Sequence, residues 1–116
     1  MKKSIIAEKS FRFSIRIVDL CRKQNFKTME IELFRQLIKS GTSIGANVEE
    51  ALAGQSKKDF IAKMSIAAKE ARETNYWLRL LHANKIIDNN ELTEESLELI
   101  KILSSIIKTS QEKLKS

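Results

Sequence analysis

Apolar residues recur at three- and four-residue spacing along almost the whole chain, and polar clusters interrupt that rhythm three times. Such spacing places side chains on one face of a 3.6-residue turn, so it predicts four helices and no strand. The first helix covers residues 4–24. There Phe11, Ile15 and Val18 share a side with Cys21, and the apolar surface continues through Ile17, Ile6, Phe13 and Leu20. The arc is roughly 200° wide, about twice what one core face needs. Lys9, Arg12, Arg16 and Lys23 take the remaining stripe, interrupted by Asp19.

A break at residues 25–28 leads into a second helix over 29–53. Leu33, Leu37, Ile44, Val48 and Ala51 form its seam, with Phe34, Gly41, Gly45 and Leu52 beside it. A glycine inside a helix costs about 1 kcal/mol against alanine, so Gly41 and Gly45 imply a closely approaching neighbour. Gln36, Ser40, Ser43, Asn47 and Glu50 form a polar stripe on the other flank. Ser40, Ser43 and Asn47 are expected to make close hydrogen bonds between helices or between subunits.

Gly54 reads as a helix terminator, and Ser56 with Asp59 as a capping box opening the third helix. Phe60, Met64, Ala67, Ala71, Thr74, Leu78 and Leu81 follow with alternating four and three spacing, a heptad seam with a small-residue middle. Asp88, Asn89 and Asn90 make the third break. Thr93 is expected to cap the fourth helix, with Leu92 and Leu97 as a hydrophobic staple. Glu94 and Glu95 complement the positive helix end. Ile100, Leu103, Ile107 and Leu114 carry the apolar face onward.

Four such helices with short connections predict an all-α fold, an up-and-down antiparallel four-helix bundle forming one domain over residues 1–116. The absence of proline and the presence of only three glycines agree with it. The apolar surface exceeds what one bundle core covers, which predicts a closed homo-oligomer. No apolar run is long enough to span a membrane, and Met1–Glu8 lacks the apolar core of a signal peptide. A lone Cys21 excludes an intrachain disulfide and points to the reducing cytoplasm.

Catalytic chemistry finds little support. Neither Gly-rich phosphate loop occurs. His82 is the only histidine, and Arg79 stands three before it where a Glu-x-x-His metal pair needs glutamate. Glu70 and Glu73 read as ion-pair partners of Lys69 and Arg72, and Cys21 as a small core residue. The expectation is a non-enzyme without metal or cofactor.

The charge changes the picture more. Residues 1–27 hold eight Lys or Arg against Glu8 and Asp19, so the formal net charge of +6 arises there. Two readings are open: a solvated basic surface, or an electrostatic footprint for RNA or DNA. Lys69, Arg72, Tyr76 and Arg79 gather on the third helix away from its seam. An aromatic side chain among cations can stack on an unpaired base while the cations hold phosphates. Equally, Tyr76 could pack across a subunit contact. Trp77, on another flank, suits an interface anchor.

The run Ser40-Gly41-Thr42-Ser43-Ile44-Gly45-Ala46-Asn47-Val48-Glu49-Glu50, followed by Ser56-Lys57-Lys58-Asp59-Phe60-Ile61, resembles the bacterial 23S rRNA intervening-sequence proteins. Ser40, Ser43, Ile44, Asn47 and Glu50 fall on that family's pattern. Lys39 replaces its usual arginine, Val48 an isoleucine and Ala51 a glycine. The resemblance implies a left-handed four-helix bundle assembling as a ring, with five subunits expected. A similar bundle, the accessory protein of diversity-generating retroelements, binds nucleic acid and a reverse transcriptase. Together these readings lead to a homo-oligomer that binds RNA or DNA; the alternative is an adaptor for a partner protein.

Overall fold

The computed structural model describes residues 4–24 and 28–115. It contains four helices, α1 (Ile5–Arg22), α2 (Thr28–Leu52), α3 (Lys57–Ala83) and α4 (Glu91–Lys115). Of the break expected at residues 25–28, residues 25–27 lie outside the described residues, as do Lys2 and Lys3 of the basic segment, and Thr28 already belongs to α2.

Each helix packs on its two neighbours in chain order, and α4 closes back onto α1. Contacting residues run in opposite order on every pair, so all four contacts are antiparallel. Ser40 meets Thr74 and Glu50 meets Lys63 between α2 and α3. Lys9 meets Glu98 and Arg16 meets Glu91 between α1 and α4. The bundle is 52 Å long and 24 by 21 Å across.

The helix ends follow local chemistry. Ser4 caps α1 by accepting from the Ala7 amide at 3.3 Å. Ser56 caps α3 as expected, accepting from the Asp59 amide at 3.1 Å. The end of α3 is a Schellman turn: the amides of Ile86 and Lys85 donate to the carbonyls of Leu81 and His82. Lys85 takes the left-handed position, φ 59°, where glycine is usual. Gly54 does follow α2, but without a positive φ. The start of α4 differs from expectation. The helix begins at Glu91, whose amide donates to Asn89 Oδ1 at 3.2 Å. Thr93 lies inside the first turn, buried, and its hydroxyl finds no protein partner. Leu97 is 46% exposed, so the staple with buried Leu92 does not form.

The core draws on the expected seams of all four helices, although Leu52 and Leu114 stay about half exposed. Phe13, Ile17, Leu37, Ile44, Val48, Met64, Ala67, Ala71, Leu78, Leu81 and Leu103 are fully buried. Burial also pushes the Cys21 thiol up to about 11. Both interior glycines of α2 face α1. A Cβ on Gly41 would sit 2.9 Å from Ile17 Cγ1, and one on Gly45 would sit 3.3 Å from the Ser10 carbonyl oxygen. Gly45 therefore marks a close helix crossing, which offsets its propensity cost.

The wide apolar arc of α1 divides in two. Ile6, Ser10, Phe13, Ile17 and Cys21 turn inward, whereas Phe11 and Ile15 remain 65% and 48% exposed. Val18 joins Ile31, Phe34 and Ile38 in lining an apolar groove of about 360 Å³ on the α1–α2 face.

Candidate nucleic-acid interface

The basic residues of α1 sit against α4. Lys9 pairs with Glu98, and Arg16 pairs with both Glu91 and Glu95. These side chains are partly exposed, so each pair contributes only tenths of a kcal/mol. Each of these cations also has a carboxylate beside it that offsets its charge. Arg12 lies between them, lining a groove of about 250 Å³ with Glu95 and Glu98. Lys23 is exposed just past the end of α1, lining a second groove with Arg16, Asp19 and Asp88.

On α3 the setting is different. Tyr76 is 49% exposed and meets Trp77 edge to face at 5.2 Å. The Arg79 guanidinium carbon lies 5.8 Å from the Tyr76 ring centre, within cation–π reach. Arg79 Nε–H donates to Asn75 Oδ1 at 2.9 Å, a neutral acceptor that leaves the positive charge uncompensated. Neither Lys69 nor Arg72 makes an ion pair among the described residues. Lys69 does share its field with Glu70. Burial, followed by the charge of Glu73, raises the Glu70 pKa, and Lys69 and Lys39 oppose that shift. Thus, in the Arg72, Tyr76 and Arg79 cluster, neither cation makes an ion pair among the described residues.

The polar stripe of α2 separates into residues with different jobs. Ser40 is buried and joins the helices, since the Thr74 hydroxyl lies 2.9 Å from its Oγ. Ser43 and Asn47 instead donate to carbonyls of their own helix, those of Lys39 at 2.6 Å and Ser43 at 2.8 Å. Both are half-buried, and neither bonds to another helix among the described residues. Ile44 belongs to the core. Glu50 pairs with Lys63 of α3 at 3.2 Å. Trp77 is half-buried, and its indole N–H faces Glu73 at 3.4 Å.

One polar element escaped the sequence reading. Asn75 is buried and donates to Ser96 Oγ of α4 at 3.0 Å. Ser96 in turn donates to the Thr93 carbonyl at 2.6 Å. The available signal was Ala68 and Asn75, seven residues apart, which widen the α3 seam towards α4. His82 is exposed. Among the described residues no cluster of His, Cys, Asp or Glu could hold a metal, and no helix is long and apolar enough to cross a membrane.

These features define a small antiparallel helix bundle whose buried polar groups mainly serve helix contacts and whose outer surface carries a basic, aromatic face. The chain belongs to the 23S rRNA-intervening sequence protein family, which it matches over residues 2–108. It is also similar to a crystal structure from Bacteroides thetaiotaomicron, described as a protein of unknown function from the S23 ribosomal protein family. The two share 41% identity and a TM-score of 0.82, over 90% of this chain and 99% of that one. No curated protein matches the chain.

Proposed function

We propose that this protein is a non-enzymatic bundle that assembles into a closed homo-oligomer in the cytoplasm and binds RNA or other nucleic acid through the outer face of α3. The observation that carries the binding is the Arg72, Tyr76, Arg79 cluster. It combines an exposed aromatic ring with two guanidinium groups that have no carboxylate partner. A flat ring suits an unpaired base, and the cations suit its phosphates, so single strands are the substrate class. Assembly is supported by the exposed Phe11 and Ile15 beside the apolar α1–α2 groove. Five copies is the number the family resemblance implies. Repetition of the α3 face around a closed assembly adds weak contacts through multivalency.

The test is fluorescence anisotropy with single-stranded RNA and DNA over a range of salt. The expected result is modest, sequence-tolerant affinity that falls steeply as salt rises. No binding even at low salt overturns the nucleic-acid reading. Light scattering that returns a monomer mass at micromolar concentration overturns the assembly. The same apolar groove favours a second reading, an adaptor that recognises a partner protein. Such a contact would be little affected by salt, which separates the two.

A further inference from the structure

We infer that Asn75 is a positioning residue for the α3 face, holding Arg79 in place for the phosphate of a bound nucleotide. The inference rests on the proposed function and deepens it. Asn75 is only 7% exposed, yet its side chain is fully used. The direction of each hydrogen bond fixes that of the next. Ser96 commits its single proton to the Thr93 carbonyl, so its oxygen is left to accept from Asn75 Nδ2. The same carbonyl lies 3.4 Å from Nδ2 and reinforces that orientation. With its nitrogen committed to α4, the amide must turn Oδ1 towards Arg79, where it accepts Nε–H at 2.9 Å. Flipping the amide would set two donors against each other in a buried place, which folded proteins avoid.

The consequence lies at the surface. Arginine is long and costly to order, and here one of its donors is tied to a buried group anchored on another helix. The guanidinium is held near the Tyr76 ring, while its terminal amino groups make no hydrogen bond to the described residues. Because the anchor is a neutral amide, the full positive charge is retained. A carboxylate at position 75 would still accept from Arg79, but it would cancel the charge and has no N–H to give Ser96 Oγ or the Thr93 carbonyl.

A double-mutant cycle tests this, with anisotropy on a single-stranded oligouridylate as the readout. Asn75→Ala is expected to weaken binding roughly two- to tenfold, the cost of ordering one long side chain on binding. In an Arg79→Ala background the same substitution should change nothing, because its effect passes through Arg79. Asn75→Asp gives up the N–H groups that reach α4 and sets a carboxylate beside Arg79; in protein whose melt shows a folded bundle it should reduce the slope of log affinity against log salt by about one, as a lost phosphate contact does. Equal losses in both backgrounds, or no loss in either, overturn the inference and leave nucleic-acid binding standing. Wild-type protein that binds at no salt concentration overturns both. Ser96→Ala, which loosens the anchor from α4 without touching α3, guards against a folding defect. It should weaken binding less than Asn75→Ala, and a fully folded Ser96→Ala protein with Asn75→Ala affinity unchanged from wild type again overturns the inference.

Discussion

Along α1, Lys9 and Arg16 meet three carboxylates of α4; on α3, Arg79 meets an amide and a tyrosine, and Arg72 meets no acid. The two rows use the same residue types at similar helical spacing. In the first, Lys9 and Arg16 close a seam between helices against carboxylates, whereas Arg12 and Lys23 make no ion pair among the described residues. The second keeps its charge, because the group that positions it is neutral. A polyanion responds to the uncancelled field and not to the number of cations. The row with fewer basic residues nearby in sequence is therefore the better candidate interface.

The sharpest separation comes from the aromatic member. Tyr76→Ala should lower single-strand affinity by about five- to hundredfold, from a stacking contribution of about 1–3 kcal/mol per base. Anisotropy measures this, and thermal melting should be almost unaffected because Tyr76 is half exposed. The complementary outcome belongs to α1. Arg16→Glu places a third carboxylate beside Glu91 and Glu95 and should destabilise the bundle by about 1 kcal/mol at low salt, less at high salt. Denaturant melts at two salt concentrations check it, and affinity for RNA should barely change.

Smaller still is Lys9→Ala, expected to stay within about 0.5 kcal/mol of wild type because its ion pair with Glu98 is exposed. Glu70 offers a pH test on the α2 side of the α3 face. Its folded pKa is raised, so the folded chain holds its proton to higher pH than the unfolded chain does. That stabilising contribution is complete below the unfolded value and is lost as pH rises through the folded one. Glu70→Gln should therefore raise the melting temperature at pH 7 and leave it unchanged near pH 4. A gain at both pH values would assign the effect to something other than ionisation.

The difference between the two basic rows was invisible in the sequence for a physical reason. The acids that neutralise Arg16 and Lys9 lie 75 and 89 residues further along the chain. Charge read along the chain left residues 1–27 open between a solvated surface and a footprint, beside the α3 face; only the closure of α4 onto α1 brings those carboxylates across. Helical periodicity, by contrast, is local, which is why the heptad seam from Met64 to Leu81 and the Ser56 cap were legible. Gly45 was legible as a close approach, though not which helix approached. The polar stripe was half legible. Ser40, Ser43 and Asn47 share a face, but a rotation of a few tens of degrees decides which reaches another helix, and only Ser40 does. Thr93 resembled a cap because threonine before two glutamates is a common helix start. The chain instead enters α4 three residues earlier, at Glu91, whose amide donates to Asn89 Oδ1.

The most direct measurement compares salt slopes of nucleic-acid binding for Arg72→Ala and Arg16→Ala. With Arg72 outside any ion pair among the described residues and Arg16 held by Glu91 and Glu95, Arg72→Ala should flatten the plot of log affinity against log salt by about one, whereas Arg16→Ala should leave it parallel to wild type. A flattened slope for Arg16→Ala with Arg72→Ala unchanged would contradict that assignment and return the interface to α1.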